Sequence, residues 1–421
     1  MNCLSEFQLK AGKEVVCGFE EGLKPWHLLF AQPQSGKTDT FFFVGAEMLR
    51  LKKVSNVVIV CGADDKQLKK QCIDSFCDVQ GGMDFCEKYD FYLENSLELG
   101  RNDRFEVKSN MKSNIHFIWG NDLTNTHPYS EKTLFIWEES HYAESINMRP
   151  FKFFQNVGIS CDGDPVSLSN KNNYVLSVSA TPFSELSHIL NSVDEPLKGK
   201  TFLETSEEYH GISNVIQKNL IHSFNSQSLQ SELATILKST SLSKNPSFGI
   251  IRVNSEKKSS IVASIAKVKG WNVLRCNADV KKREINNFDI LKTKPSKNTL
   301  IIIKGMCRMG QVLNKQFLSF VMETSFDSNT ETLIQGLLGR TLGWHSYSIN
   351  VYINDMIMTR NDTGRYIDLL DGGTELPKKA RNLRKNGVSS HCDAFCGKDE
   401  LPIRKQKSET ETETETESNC V

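Results

Sequence analysis

The sequence predicts an α/β protein made of two tandem domains, each a mainly parallel sheet with helices on both faces. Three observations predict it. Short apolar runs recur without alternating with polar residues, as strands buried on both faces do, and helix-compatible stretches separate them. The pattern occurs twice, with a polar stretch at roughly 195–245 between the two series. The chain has 421 residues, 38% of them hydrophobic, enough for two or three ordinary domains with sizeable cores.

The first series comprises HLLF at 27, VVIV at 57, IHFIW at 115, TLFIW at 133 and YVLSV at 174. The second comprises FGIIRV at 248, WNVL at 271, TLIII at 299, FLSFVM at 317 and INVYIN at 349. We accordingly expect an N-terminal domain over 1–200, an inter-domain region over 201–240, a C-terminal domain over 241–390 and a flexible tail over 391–421. The tail ends in SETETETETESNCV, whose alternating Thr and Glu cannot offset the entropy of ordering, so an acidic, disordered terminus is expected. The basic run ELPKKARNLRKNG before it reads as part of a strand-binding rim or as an import signal, the rim being favoured.

Composition excludes some classes. The formal net charge is +0, from 51 basic and 51 acidic residues, so the whole chain carries no electrostatic bias toward nucleic acid, although a local basic cleft stays open. Runs such as NVVIVCGA are far too short to cross a bilayer, and no membrane partner is expected. Twelve cysteines without a paired framework or a secretory signal point to a reduced intracellular setting, cytoplasm or nucleus, including that of an infected host cell, or a virion. HCDAFC offers His391, Cys392 and Cys396 as zinc ligands, but the spacing is loose and no second ligand pair stands nearby, so Cys392 and Cys396 read better as free thiols.

Chemistry begins at AQPQSGKT, between an apolar run and the helix-like FFFVGAEMLRLKK. Gln34, Ser35 and Gly36 would curl backbone N–H groups around phosphates. Lys37 would reach the terminal two, and Thr38 would face a metal. Ala31 stands where the fuller pattern has its first glycine. Next, TLFIWEESHYAE ends a strand in two acids. Glu138 would hold magnesium, directly or through water, and Glu139 would polarise an attacking water, while His141 would hydrogen-bond toward a second domain. The plain alternative is an acidic loop opening a helix. YVLSVSATPF then places Ser179 and Thr181 at a strand's carboxyl end, where α/β sites lie.

In this order and spacing the three motifs resemble the first motor domain of superfamily 2 helicases of the DExH type. The wording WEESHYA, VSATPFSE, KGMCRMG and TLIQGLLGR resembles the compact helicase-like proteins of large DNA viruses and phages. The resemblance covers roughly residues 5–355 and implies two RecA-like domains with ATP and Mg2+ between them. It further implies Gly339 and Arg340 of TETLIQGLLGR at the nucleotide, Arg340 as an arginine finger. Gln335 sits one position earlier than the family's Gln-x-x-Gly-Arg-x-x-Arg pattern, and Gly343 replaces the second arginine. Arg308 in KGMCRMGQVL is the candidate substitute. Gln8 falls where the family reads adenine, and Arg252, Lys304 and Arg308 where it meets the nucleic-acid strand. Glu138 replaces the family's aspartate.

The implied activity is an ATP-dependent helicase or translocase that moves along a strand, with DNA favoured over RNA and accessory replication or transcription proteins as further partners. Two other readings fit the same residues. One is a duplex-DNA translocase that leaves strands paired; the other is a nucleotide-gated nucleic-acid-binding module with little turnover.

Overall fold

The computed structural model describes residues 3–21, 24–77, 84–192, 197–243, 245–285, 288–305, 312–381, 383 and 394–395. The acidic terminus, His391, Cys392, Cys396 and Arg308 lie outside the described residues.

Two six-stranded sheets carry the molecule. The first contains β1 (Trp26–Ala31), β2 (Asn56–Cys61), β3 (Ile115–Trp119), β4 (Thr133–Glu138), β5 (Tyr174–Ser179) and β6 (Lys198–Leu203), in the order β3-β2-β4-β5-β1-β6. Every pairing in it is parallel. Successive side chains point to opposite faces, and both faces are covered. Leu29, Ile59, Ile136 and Leu176 enter one core, while Val58, Val60, Phe135 and Trp137 enter the other. That double burial is why these strands read as unbroken apolar runs. Helices α1 (Glu6–Glu20) and α2 (Lys37–Arg50) pack on the first of these faces, and α2 is buried nearly all round from Thr40 to Leu49. Gly12 allows the two helices to close, since a Cβ there would lie 2.4 Å from the Phe43 ring.

A two-strand antiparallel ribbon, β7 (Tyr209–His210) with β13 (Gly343–Trp344), connects the halves. The second sheet contains β8 (Ile221–Phe224), β9 (Phe248–Arg252), β10 (Asn272–Asn277), β11 (Thr299–Lys304), β12 (Leu318–Glu323) and β14 (Asn350–Asn354). Its order is β10-β11-β9-β12-β14-β8, again all parallel. The expected class, two tandem mainly parallel α/β units of RecA-like type, is what the sheet topology gives.

Two expectations change. The polar stretch 195–245, expected as an inter-domain region over 201–240, contributes a strand to each sheet: β6 lies beside β1 at one edge of the first, and β8 beside β14 at one edge of the second. In KGKTFL the pattern was hidden by Lys198, which is buried with its ammonium 4.1 Å from the Trp26 ring centroid and donates to the Cys161 carbonyl at 2.7 Å. The Glu185 carboxylate 3.4 Å from the ammonium, the cation–π contact and the hydrogen bond together let a lysine occupy a core position. Second, Ala394 and Phe395 do not behave as flexible tail. Both are buried on the first domain, Phe395 against Trp26 and Trp137, and the Ala394 N–H donates to the Glu144 carbonyl at 2.6 Å.

The domains share an apolar core across their seam. Leu28, Phe30 and Phe183 of the first join Ile250, Ile301 and Val351 of the second in one cluster. Tyr366, on the helix Asp362–Leu370, is buried there, and its hydroxyl donates to the Ala180 carbonyl at 2.8 Å.

Candidate functional site

The sheet order β4-β5-β1 sets three strand ends side by side, so the chain leaving β1, β4 and β5 converges on one place. After Ala31 the backbone curls, with Gln34 at φ 61° and Gly36 at φ 105°, into the first turn of α2. Such a curl points successive N–H groups inward at a helix N-terminus, an anion-binding arrangement. Gly36 is required twice over: its φ is left-handed, and a Cβ would lie 2.5 Å from Gln8 Nε2. Gln8 braces the loop, donating to the Gly36 carbonyl at 3.1 Å while its Oε1 accepts from the Ser5 N–H at 2.8 Å in the cap of α1. Both amide ends of Gln8 are therefore engaged within the protein. Ser35 is buried and donates to the Gln32 carbonyl at 2.8 Å, holding the curl.

At the end of β4, Glu138 and Glu139 are both buried. Burial, then the neighbouring Glu139, pushes the Glu138 carboxyl up to about 8 against the opposing pull of Lys37. Burial also opposes ionisation of Glu139, but Lys37, the hydrogen bond from Gln335 and Arg340 hold it below the usual carboxylate range. Adjacent acids are thus driven apart, one kept ionised and one held ready to give up its proton to a cation. Among the described residues, Glu138 Oε2 is buried without a hydrogen-bond partner. A buried carboxylate with an orphaned oxygen, beside a second buried carboxylate and a phosphate-type loop, suits a divalent cation. Thr38 and Glu138 fit its ligands by chemistry.

Glu139 Oε2 lies 3.3 Å from His141 Nδ1. Burial pushes the imidazole down to about 4, so at neutral pH this is a contact of a carboxylate with a neutral ring, not an ion pair. His141 Nδ1 also meets Ser179 Oγ at 3.0 Å, and Ser179 Oγ accepts from the Thr181 N–H at 3.0 Å.

The second domain closes the site. Gln335 Nε2 lies 2.9 Å from Thr181 Oγ1 and 3.1 Å from His141 Nδ1. Between Gln335 and Arg340 the helix is kinked at Gly336, whose φ −75° and ψ −130° are non-helical. The extra residue between Gln335 and Arg340 falls at this kink, and both side chains line the cleft. Gly339 packs against the loop, where a Cβ would lie 3.1 Å from Pro33, and its carbonyl accepts from Gln34 Nε2 at 3.2 Å. Lys315 Nζ donates to Gln34 Oε1 at 2.7 Å. It lies 3.7 Å from where a Cβ on Gly343 would sit, so a lysine from another loop lines the cleft beside Gly343.

Lys37, Thr38, Glu138, Glu139, Arg340 and Lys315 line one cleft of about 850 Å³ between the sheets, and Gln8, Gln34, Gly36, Gln335 and Gly339 line it too. One space is common to residues from both domains.

No family model matches the chain. It is 40% identical over 63 residues to an uncharacterized protein of Acanthamoeba polyphaga mimivirus, a match covering 15% of this chain and 16% of that protein's length. Among solved structures it is similar to a variant of S. cerevisiae Dbp5 bound to RNA and ADP BeF3, with 14% identity and TM-score 0.43 over 89% of this chain and 93% of that one. It is also similar to Mss116p bound to ssRNA and AMP-PNP, with 15% identity and TM-score 0.47 over 90% and 77% of the two chains. The ATP-dependent Type ISP restriction-modification enzyme LlaBIII bound to DNA gives 13% identity and TM-score 0.49, over 83% of this chain and 27% of that one. The fold described above rests on the sheet order and burial of this chain itself.

Other expected residues lie elsewhere. Arg252 is buried at the end of β9 and paired with Glu323 at 3.2 Å, so its guanidinium turns inward. Lys304 bonds Glu256 at 3.1 Å. Ser179, Thr181 and His141 sit behind the cleft as the link to Gln335. The basic run is partly described: the Lys379 carbonyl accepts from the Thr330 N–H at 3.0 Å, and the Arg381 N–H donates to Glu331 Oε1 at 2.6 Å. Lys315 and Tyr209, whose hydroxyl donates to the Pro33 carbonyl at 2.6 Å, were not expected at the site. The one sequence signal for Lys315 was indirect, the glycine at 343 that left a cation to be supplied from elsewhere.

Proposed function

We propose that this chain is an ATP-dependent nucleic-acid helicase or translocase, hydrolysing ATP in the inter-domain cleft to move along a strand. The single observation that supports it is the common cleft of Lys37, Glu139 and Arg340, residues far apart in sequence. The curled loop and Lys37 bind the phosphates, and Glu139, kept ionised by its surroundings, orients and accepts a proton from water. Arg340 and Lys315 set positive charge where it meets the terminal phosphate. A magnesium ion held by Thr38 and Glu138 would supply neutralisation of the phosphate oxygens. The Gln335–Thr181–His141 contacts join the second domain to the strand end of β5, so presence or loss of the terminal phosphate at Arg340 is felt at both domains.

Nucleic acid is the proposed partner, DNA favoured over RNA, gripped along its backbone rather than read by sequence. Accessory replication or transcription proteins are proposed as further partners, in an intracellular or virion setting. None of the described helices is long and apolar enough to cross a membrane.

The apolar core shared across the seam favours a second reading, a nucleotide-gated binding module of low turnover, since a large hydrophobic inter-domain surface restrains reopening. ATP hydrolysis by wild type, Lys37→Ala and Glu139→Gln, each with and without single-stranded DNA or RNA, tests both. We expect stimulated hydrolysis lost in each variant. Unchanged hydrolysis in both overturns the motor, and wild-type turnover at background leaves the module.

A further inference from the structure

The phosphate end of the cleft has its residues, but Gln8, the expected reader of the base, spends both amide ends on Ser5 and Gly36. The cleft's other wall holds an unused feature. Trp344 lines it and is 38% exposed, whereas the other four of the five tryptophans are buried at 4% or less. Tyr347, three residues on, also lines the cleft and is 41% exposed.

Both rings are held in place. Trp344 pairs with Tyr209 in the β7–β13 ribbon, and Tyr209 stands edge-on to it with centroids 5.5 Å apart. The same Tyr209 hydroxyl is bonded to the Pro33 carbonyl of the phosphate-type loop, which fixes Trp344 relative to that loop. Gly343, at φ 127°, brings the backbone against Gln34, 3.3 Å from a Cβ built there. Tyr347 stacks on His345 with centroids 5.6 Å apart, and His345 is anchored to the Thr341 carbonyl at 2.8 Å.

Resting on the nucleotide reading above, we infer that Trp344 and Tyr347 form the platform on which the base of the nucleoside triphosphate stacks. Every base presents a π face, so stacking tolerates base identity, while hydrogen-bond readout does not. With Gln8 committed to the loop, recognition of the base is by face, and ATP and GTP bind alike. The second domain thereby holds both ends of the nucleotide, the base through Trp344 and the terminal phosphate through Arg340.

The test titrates the full chain with Mg-ATP, Mg-GTP and tripolyphosphate, following tryptophan fluorescence and calorimetric heat. We expect ATP and GTP to quench fluorescence and to bind within about threefold of each other, and tripolyphosphate to bind without quenching. Trp344→Ala should weaken ATP and GTP about tenfold and leave tripolyphosphate unchanged, with Trp344→Phe restoring most of the affinity. Tyr347→Ala gives an independent second variant of the same sign. Equal weakening of tripolyphosphate, no weakening of ATP, or a preference for ATP over GTP of a hundredfold would overturn the platform and leave the phosphate site standing. If wild type binds neither nucleotide nor tripolyphosphate, the nucleotide reading itself falls.

Discussion

Gln335 Nε2 donates to Thr181 Oγ1 at 2.9 Å, a hydrogen bond between the helix of one domain and the strand end of the other. Both groups are buried, so the bond is shielded from water and each partner is costly to orphan. It sits next to His141 and hence one contact from Glu139.

Gln335→Ala and Thr181→Val should each weaken coupling between the domains without removing nucleotide binding. We expect ATP affinity to hold within a few-fold while stimulation by single-stranded nucleic acid falls. A double-mutant cycle should give a coupling of about 1 kcal/mol. Fully additive losses would show that the bond carries no coupling.

Arg340→Ala should leave nucleotide binding largely intact and lower turnover by about 10³, as with other arginines that meet a terminal phosphate. The kink at Gly336 makes a further demand. Deleting Gly336 returns Gln335 and Arg340 to a four-residue separation, which a regular α-helix also keeps on one face, and we expect turnover within about tenfold of wild type. Inserting an alanine after Gly336 rotates Arg340 by about 100° and should cost as much as Arg340→Ala. Equal activity of the two variants would contradict this account; circular dichroism checks that both fold.

Lys315 gives the cleft a pH dependence. Burial, then the nearby Arg340, pushes its ammonium down from 10.5 to about 8. A bound anion favours the charged form, so the free site loses its proton first as pH rises, and nucleotide affinity should fall as pH climbs through about 8. Lys315→Arg keeps its charge throughout this range and should flatten the profile. Calorimetric titration at pH values either side of 8 measures it, and a profile identical in wild type and variant would discount Lys315.

Phe395→Ala should destabilise the protein by about 3 kcal/mol or more, the usual cost of removing a buried phenyl ring. Thermal melts read the loss, and Phe395→Leu should recover part of it. An unchanged melting profile would mean that Phe395 does not pack between Trp26 and Trp137 in solution.

Much of the fold was legible because parallel strands buried on both faces must be apolar at every position, and runs such as TLFIW and TLIII carry that signature. β6 and β8 escaped because their burial is incomplete or is shared with polar groups, as Lys198 shows. Phe395 escaped because one aromatic residue near a polar terminus has no periodicity to reveal where it docks.

The sequence by itself determined the two-sheet class, the loop at Gly36, the paired acids and the arginine at 340, since each depends on residues adjacent in the chain or on local periodicity. Tertiary structure alone decided that β1, β4 and β5 end side by side, that the helix between Gln335 and Arg340 kinks at Gly336, and that Lys315 enters the cleft beside Gln34 and Gly343. It also committed Gln8 to the loop and turned Arg252 inward. These are matters of which distant surfaces meet, fixed by sheet order and by the close packing of the seam, and no spacing along the chain records them.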